Sequence, residues 1–516
     1  MNYKPTLAWQ QYEAGKEYKR RIGLYETVRK NERFYRGDQW QGDTSDLPHP
    51  VFNIIRRVTD YLVSSVLPGG VSIHYADDRL PFLENEADRA GIVEGIRLFN
   101  RNADYRWKQS HMDALSYEAL LDAAISGDGV FYCYWDSEKQ NGQLFRGDVK
   151  TVLLDNTCLF VADVNKRNIQ EQNYLLLSGR ANVSTLRREA KENGVPKELI
   201  EQIVPDHETE ACSGDYAAYE LEGDDGKATY LVRFFKEDGK VIYEKSVKAC
   251  VIKRVNTGLS LYPVAYFNWQ PTKNSFHGTA PISGMIANQK YINTAYAMAM
   301  KHMSDTAFSK VVYDKSRIPE WSNEVGEAIA AMGGGNVADA VSVVGVGKLQ
   351  DRYIELIDNV VENTKAMMGA TESALGDEKA NNTSAILTLQ EASRVALKQV
   401  GAAFRHCLGE LALIWADMLC TYSHTDRLLA VMEEDGSLSA GKPDYKRLRE
   451  ELLRATVEVH NSSAYTPAAM TALLDKLLDG GYLAVKDYLE LLPDDNLTNR
   501  DILLKKIQEK ENAIDE

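Results

Sequence analysis

The sequence predicts an α+β fold in which a region of antiparallel strands precedes a set of long helices. Between residues 130 and 255, short runs of β-branched and aromatic residues alternate with turn signals, a pattern typical of β-hairpins. From residue 281 onward, apolar residues instead recur at helical spacing over long stretches. The chain has 516 residues, 44% hydrophobic and 26% charged, which is the composition of a folded globular protein with several cores.

The first part of the chain is predicted to be mostly helical. Residues 8–36 are charge-rich, with apolar residues returning at helical spacing. Asn53 is a suitable N-cap for a helix over 54–66, because its side-chain oxygen can accept from a free backbone amide. Two further helices are expected at 84–101 and 104–126.

A sheet region is predicted after the Gly127-Asp128-Gly129 turn. Asn141-Gly142 and Asp238-Gly239 are hairpin signals, since both dipeptides tolerate the positive φ angles of tight turns. One helix is expected at 184–193. The predicted strands are 130–135, 149–154, 174–178, 228–235, 241–243 and 250–255.

The second half of the chain is predicted to consist of long helices around one short mixed insert. Pro281 fits the first turn of the first helix, where its missing amide has no partner to lose. Helices are expected at 282–308, 349–368 and 383–422, the last of these about 60 Å long at 1.5 Å per residue. The insert contains a strand at 311–313, a helix at 320–332 and a strand at 341–346, and the C-terminal part a strand at 454–460 and helices at 467–479, 484–491 and 498–513.

Composition and N-terminal sequence bear on where the protein is made. The six cysteines form no CxxC pair, so we expect them to be reduced, as in a bacterial cytoplasm. No signal peptide and no apolar run long enough for a membrane span is visible, so we expect no membrane partner.

Catalytic motifs are not apparent, so we expect no enzymatic activity, no cofactor and no metal site. The string Gly345-Val346-Gly347-Lys348 lacks the hydroxyl residue that follows the lysine of a phosphate-binding loop. His207-Glu208 lacks the second histidine of a zinc-binding helix. Acidic clusters at 220–225 and at Asp377-Glu378 leave one alternative open, an enzyme that uses Mg²⁺. For the first cluster, a solvated hairpin edge is the more ordinary interpretation.

A series of segments, taken in order, resembles the portal proteins of tailed double-stranded-DNA bacteriophages. The resemblance covers nearly the whole chain and depends on the order of its motifs, each of which is weak alone. The segments are 34–40 with 50–58, 154–163, Gly278-Thr279-Ala280-Pro281 with 288–293, and 368–376 with 382–385.

The resemblance implies a subunit of a ring, usually of twelve copies, with an α+β wing, a long helical stem, a small α/β clip and a helical C-terminal crown. The implied boundaries are 1–270 for the first part of the wing, 271–308 for a stem helix, 309–348 for the clip, 349–368 for the second stem helix, 369–382 for the tunnel loop, 383–423 for the long wing or tunnel helix, 424–463 for the last part of the wing, and 464–516 for the crown.

The resemblance also implies partners and a location. The ring would lie at one capsid vertex of the virion, where DNA is packaged and ejected. Its partners would be capsid and scaffolding proteins, the terminase, a head-completion adaptor, and double-stranded DNA held without sequence specificity. The implied tunnel-loop residues facing DNA are Thr371, Glu372, Asp377, Glu378, Lys379, Asn381 and Asn382. The implied clip docking surface comprises Arg317, Glu320, Trp321, Asn323, Glu324 and Glu327.

Two structural alternatives stay open at the level of sequence. Periodicity alone would fit a helical bundle within one subunit for 281–422, and another head–tail connector or minor capsid protein would share the helical core. The net charge of −15, from 60 basic and 75 acidic residues, argues against a protein that coats DNA tightly. Segment 281–423 carries 12 basic and 16 acidic residues, so the predicted channel is acidic as well.

Overall fold

The computed structural model describes most of the chain up to residue 461. The described residues are 5–40, 46–67, 71–75, 86–140, 143–208, 226–306, 310–322, 324, 328–344, 351–370, 395–432, 437–454 and 457–461, with short runs between 471 and 489. The chain divides into two compact units. The first comprises Met1–Leu67, Ala114–Cys407 and Asp417–Tyr422, and the second Pro68–Asp113, Leu408–Ala416 and Ser423–Glu516.

The mixed fold predicted from the sequence is confirmed, because helices and antiparallel strands both occur in the described part. The helices are α1 Leu7–Arg21, α2 Leu24–Arg36, α3 Ile54–Val66, α4 Glu86–Gln109, α5 Met112–Ser126, α6 Val183–Glu192, α7 Lys197–Ile200, α8 Pro281–Thr306, α9 Asp351–Met367, α10 Lys398–Tyr422 and α11 Tyr445–Arg454. The strands are β1 Val71–Tyr75, β2 Asp128–Asp136, β3 Asp148–Leu153, β4 Leu159–Val161, β5 Tyr174–Asn182, β6 Lys227–Glu237, β7 Lys240–Ser246, β8 Val251–Asn256, β9 Val264–Asn268, β10 Lys310–Tyr313, β11 Val341–Val344, β12 Leu429–Met432, β13 Leu438–Gly441 and β14 Val457–Asn461.

The first unit contains two antiparallel sheets and a hairpin. One sheet has the strand order β3-β2-β9, the other β4-β5-β6-β7-β8, and β10 pairs with β11. The predicted strands 149–154 and 174–178 therefore belong to different sheets, contrary to the single sheet expected from the sequence. The residues between them explain the break, since Asn156–Cys158 form a 3₁₀ turn that redirects the chain into β4.

Helices cover the five-stranded sheet and bury its apolar side chains. Trp9 and Tyr12 of α1 pack on Phe160, Leu176 and Leu231, all at most 3% exposed. A second cluster gathers side chains of α6, the strands and the loops beside them. It comprises Val183, Leu186, Ala190, Ile203, Ala228, Val247, Cys250 and Ile252. Each fully buried large aliphatic side chain is worth about 1.5–3 kcal/mol, so these faces fix the packing of the sheet.

The second unit is built around α4 and two small sheets. β1 pairs with β14 in an antiparallel sheet, which matches the strand expected at 454–460, and β12 pairs with β13. Gly95 of α4 lets Leu448 of α11 approach closely, because a Cβ at Gly95 would lie 2.4 Å from the Leu448 side chain. The helices predicted over 467–513 lie largely outside the described residues.

Several helix boundaries follow the sequence signals, and two do not. The Asn53 side chain accepts from the Arg56 amide at 3.1 Å, so α3 begins at its predicted cap. The segment 8–36 is divided into α1 and α2, because Gly23 adopts a left-handed conformation between them. The break between α4 and α5 comes later than predicted, beside His111, which also has a positive φ.

α10 ends at Tyr422, where the sequence predicted the end of the long helix. A 3₁₀ turn over Val395–Leu397 precedes it, and residues 383–394 lie outside the described part, so the predicted length of 40 residues is not tested there. Asp417 is buried in α10 and accepts from the amides of Ser260 and Leu261 at 2.7 and 3.0 Å. These bonds tie the last turns of α10 to the loop before β9.

Candidate functional site: a buried joint, a helix pair and a β-hairpin

A buried carboxylate joins the three-stranded sheet to the loop that leads into α8. Asp128, the first residue of β2, is 1% exposed. Its Oδ1 accepts from Asn268 Nδ2 at 2.8 Å and from the Gly278 amide at 2.7 Å. Its Oδ2 accepts from Asn156 Nδ2 at 2.9 Å and lies 2.6 Å from His277 Nδ1. Four donors thus converge on one side chain, and we call this set the Asp128 joint.

Electrostatics favour the ionised form of Asp128. Burial alone would raise the pKa of this carboxyl, but the charge of His277 and the hydrogen bonds to it lower the pKa below its usual value. A buried carboxylate is stable when its lone pairs are used and a cation lies beside it. The Asp128 joint therefore fixes the position of Gly278, three residues before α8 begins.

Two glycines allow this close approach. Gly127 has a φ of +99°, and a Cβ on it would stand 2.6 Å from the Gly278 carbonyl oxygen. A Cβ on Gly278 would in turn stand 2.7 Å from the Gly127 carbonyl oxygen. Any larger residue at either position would push the two backbone segments apart.

A buried amide network connects α8 to the start of α3. Gln289 of α8 is 1% exposed, its Oε1 accepts from the Ile54 amide at 3.1 Å, and its Nε2 donates to the Phe52 carbonyl at 2.7 Å. Its Nε2 also donates to Asn293 Oδ1 at 2.9 Å, and Asn293 Nδ2 donates to Gln39 Oε1 at 2.6 Å. The network satisfies first-turn amides of α3, which have no partner inside that helix.

α8 and α9 pack against each other as a pair. Ile292 and Ala295 of α8 form a core with Ile357 of α9. Asn288 Nδ2 donates to Thr364 Oγ1 at 3.0 Å between the same helices. The apolar contact and the polar contact together fix the register of the pair.

α9 carries an acidic stripe on the side opposite its buried face. Glu355, Asp358 and Glu362 are exposed and lie three and four residues apart, which places them on one helix face. Ile357 and Thr364, which are 1% and 4% exposed, lie on the other face. We refer to the three carboxylates as the acidic stripe.

α8 also exposes apolar side chains. Tyr291 is 45% exposed and Met298 52%, and their separation of seven residues places them on one face. Met303 near the end of the helix is 56% exposed. Such side chains are typical of a helix that contacts another protein chain.

The insert between α8 and α9 is a β-hairpin closed by a loop. β10 and β11 pair from Lys310↔Val344 to Tyr313↔Val341, which confirms both predicted strands. The Asp314 amide donates to the Ala340 carbonyl at 2.9 Å, and Ile318 and Ala340 are each 2% exposed. We call β10, β11 and the described residues between them the clip hairpin.

The helix predicted at 320–332 is wrong for the described residues of that segment, which are irregular. Pro319 precedes the segment, and the Ser322 hydroxyl accepts from the Glu324 amide at 3.1 Å, a local bond that competes with helix formation. The Met332 amide donates to the Arg317 carbonyl at 2.7 Å. The Met332 amide and the Arg317 carbonyl thus close the loop and do not take part in the regular backbone hydrogen bonds of a helix.

Four of the six predicted clip residues are described, and they differ in role. Glu320 and Glu324 are exposed, whereas Trp321 is half-buried and stacks on Tyr313 at 5.3 Å between ring centroids. Arg317 donates to the Asn336 carbonyl at 3.3 Å and so supports the loop itself. Asn323 and Glu327 lie outside the described residues, as do all seven predicted tunnel-loop residues, Thr371, Glu372, Asp377, Glu378, Lys379, Asn381 and Asn382.

The clip hairpin also exposes apolar residues that the sequence analysis did not single out. They are Val312, Met332, Val337 and Val343, each more than half exposed. The sequence gives little signal for them, because a valine in a short strand is equally typical of a buried position.

Sequence reasoning also missed the Asp128 joint. The pattern Gly-Asp-Gly predicted only a turn, whereas Asp128 begins β2 and pairs with Asn268. Its partners come from positions 156, 268, 277 and 278, and nothing in the local sequence relates them. Two of these positions, 156 and 278, do lie in the segments that carry the family resemblance.

The part of the chain that the structure describes contains neither a cluster of metal-ligating side chains nor a membrane-spanning helix. No three His, Cys, Asp or Glu side chains there come close enough together to hold a metal ion directly. None of the helices described is both long and apolar enough to cross a bilayer.

Comparison with known proteins agrees with the resemblance. Residues 260–448 match the family model "Phage P22-like portal protein", so the predicted resemblance is confirmed over this part of the chain. The family is structural and not enzymatic. Among solved structures, a chain of "Virion of native gene transfer agent (GTA) particle" is similar at 10% identity with a TM-score of 0.37, covering 85% of this chain and 89% of that chain. No curated protein matches.

Proposed function

We propose that this chain is the subunit of a phage portal, a ring at one capsid vertex through which double-stranded DNA is packaged and later ejected. The observation that carries the proposal is the match of residues 260–448 to the portal family. This segment contains α8, the clip hairpin, α9 and α10, and in the proposed ring these elements would form the channel. The ring would contain about twelve copies in cyclic symmetry.

Each part of the chain then has an assigned role. Residues 1–270 and 424–463 form the wing, α8 and α9 form the stem, and the clip hairpin docks the packaging terminase and afterwards a head-completion adaptor. Residues 369–382 form the tunnel loop, 383–423 the adjoining long helix, and 464–516 the crown. Exposed Tyr291 and Met298 of α8 suit contact with the neighbouring subunit.

The channel would let DNA slide without binding it tightly. A basic wall would release counterions from the phosphates and hold the duplex, whereas an acidic wall has no such attraction. The acidic stripe of α9 supports this role, because Glu355, Asp358 and Glu362 are exposed on one face. Since these groups carry no base-reading geometry, recognition of the duplex would not depend on sequence.

Clip docking is supported by the exposed apolar and exposed charged side chains that the clip hairpin carries. Val337 and Val343 are 62% and 59% exposed, and Glu320 and Glu324 are exposed as well. A patch that mixes apolar and charged side chains is typical of an interface that forms and dissociates. The portal itself would hydrolyse no nucleotide, and the terminase would supply the energy of packaging.

The test is electron microscopy of the full-length protein and of particles assembled with capsid and scaffolding proteins. We expect rings with a central hole, and label for this chain at a single vertex of each particle. As a matched pair, Met298→Glu on the exposed face of α8 should reduce ring formation, whereas Glu138→Gln on an exposed turn should not. Solid particles, or label at every vertex, would contradict the proposal.

A further inference from the structure

β8 forms an open edge of the five-stranded sheet in the first unit. Its six residues, Val251–Asn256, pair with β7 on one side, and no described strand lies on the other. The opposite edge strand, β4, has three residues, of which Leu159 and Phe160 are buried. In β8, by contrast, every residue except Ile252 is exposed. The described part of this sheet thus has one long open edge, to which the proposed portal assigns no role.

The backbone groups on the outer side of β8 are available to another strand. In an antiparallel pair, the amides and carbonyls of alternate residues point toward the partner strand. The Thr257 amide donates to a carbonyl of β7 at 3.0 Å and so points toward that strand. By this alternation the groups of Lys253 and Val255 also point toward β7. Those of Arg254 and Asn256 point outward, and they have no backbone partner among the described residues.

The side chains of this edge are basic, although the chain as a whole has a net charge of −15. Lys253 and Arg254 lie in β8 and Lys248 lies in the turn before it, and all three are exposed. Arg254 forms an ion pair with Glu237 of β6, and both partners are about half exposed. The two valines of β8 are 40% and 41% exposed, so apolar side chains flank the two cations.

Lys253 lies directly opposite another cation, Lys245 of β7. Like charges in such a cross-strand pair are destabilising. The charge of Lys245 is compensated, because its Nζ lies 2.6 Å from a carboxylate oxygen of Glu189 in α6. Among the described residues, no carboxylate forms an ion pair with Lys253. An acidic residue on a strand added beyond β8 would lie opposite Lys253 and supply this counter-charge.

We propose that β8 accepts a sixth strand from another protein, an extended segment with a pair of acidic residues between β-branched ones. Backbone hydrogen bonds to the open edge would supply affinity, and the side chains opposite Lys253 and Arg254 would supply specificity. A second copy of β8 is not the partner, because basic side chains would then face basic side chains. The same charges protect the edge from nonspecific pairing, as lysines on edge strands commonly do.

The experiment uses the full-length protein and a fluorescein-labelled peptide of about eight residues, in which valine and threonine flank a central pair of glutamates. Fluorescence anisotropy should show saturable binding of one peptide per chain. Lys253→Glu should weaken the affinity at least about tenfold, because like charges would then meet across the added strand. Lys273→Glu, the same change at an exposed position outside the sheet, should leave the affinity unchanged.

Two further measurements separate strand addition from simple attraction between charges. The same peptide with N-methyl groups on its backbone amides keeps its charges but has no amide donors, so its binding should be lost. In hydrogen exchange followed by mass spectrometry, the unmodified peptide should slow exchange within segment 251–256. The proposal is overturned by equal affinity for the N-methylated peptide, by undiminished binding to Lys253→Glu, by equally tight binding of single-stranded DNA of the same charge, or by no saturable binding to the wild type.

Discussion

At the scale of single residues, Asp128 shows how a side chain without an obvious motif can hold a fold together. Its two oxygens receive donors from a strand, a loop and a 3₁₀ turn. The sequence shows only an aspartate between two glycines. The need for a carboxylate becomes visible only when the fold brings the four donors to one point.

Replacing Asp128 with Asn should be strongly destabilising. The substitution keeps the shape of the side chain but places an amide donor where four donors already converge. Each buried donor left without its acceptor costs about 1–3 kcal/mol, so we expect a loss of at least that size in the free energy of unfolding measured with urea. Asp238→Asn, the same change in an exposed turn, should alter stability by less than about 0.5 kcal/mol. A similar small effect at both positions would refute the role assigned to Asp128.

Tyr35 provides a pH-dependent test within the segment 34–40. Its hydroxyl donates to Asp60 Oδ1 at 2.7 Å, and burial together with this bond raises the pKa of Tyr35 to about 12. Because the pKa in the folded state is above the value of about 10 in the unfolded state, the contribution is complete below pH 10 and is lost as the pH rises through 12.

Tyr35→Phe should therefore lower the free energy of unfolding by about 1 kcal/mol at pH 8. The difference from wild type should close between pH 10 and 12, as followed by urea titrations at a series of pH values. Since both proteins lose the same lysine charges over this range, only the difference between them reports on Tyr35. If the difference in the free energy of unfolding between wild type and Tyr35→Phe stays constant up to pH 12, the hydroxyl does not stabilise the protein through its raised pKa.

At the scale of elements, local signals located helices and strands better than they located boundaries. Asn53 capped α3 as predicted because a cap depends on residues three apart. The helix expected at 320–332 failed because the Met332 amide bonds to the distant Arg317 carbonyl. The clip hairpin is thus closed by a hydrogen bond between residues distant in sequence, and the spacing of apolar residues cannot predict such a bond.

Trp321→Ala tests the clip hairpin as a docking element. The variant loses the stack on Tyr313 and part of the exposed aromatic surface. Aromatic anchors often carry a large share of binding energy, so terminase binding, measured by surface plasmon resonance, should weaken at least about tenfold. Ring assembly, counted by electron microscopy, should stay near wild type.

If Trp321→Ala reduces ring assembly as much as it reduces terminase binding, the clip hairpin is not specifically a docking element. Val337→Asp provides a second variant that does not depend on a buried contact, because Val337 is 62% exposed. It should weaken the same interaction through the charge it adds to an apolar surface. Lys315→Gln, a change at an exposed position of the same hairpin, serves as the control.

At the scale of the whole molecule, charge determines how the proposed ring would treat DNA. Every subunit of a ring would carry the net charge of −15. Within each subunit, the acidic stripe places three of the negative charges close together on one face of α9. The overall acidity is therefore compatible with DNA as a partner that moves through the protein. It is incompatible with tight coating of DNA.

Reversing the charge of the acidic stripe should make the channel hold DNA that otherwise slides through it. In the triple variant with Lys at Glu355, Asp358 and Glu362, each subunit presents new cations to the phosphates. We expect slower DNA packaging at low salt, relieved as salt is raised, because the logarithm of the DNA-binding constant falls linearly with the logarithm of salt concentration. The measurement is the packaging rate at about 50 and 200 mM salt.

A matched control places the same three charge reversals on the surface of the first unit, at the exposed Glu192, Glu198 and Glu201. This control should package at the wild-type rate, because only charges along the channel meet DNA in the proposed ring. If both triple variants slow packaging equally, net charge and not the acidic stripe is responsible.

The sequence by itself determined the classes of element, their order, the acidic balance and the portal resemblance. These properties depend either on neighbouring residues or on overall composition. Apolar periodicity and helix caps are read from residues a few positions apart, and net charge is read from composition. Only the tertiary structure decided that four donors meet at Asp128 and that Gln289 satisfies the start of α3. Except for the bond between Asp128 and Asn156, these contacts join residues more than a hundred positions apart, and no periodic pattern encodes which of them will meet.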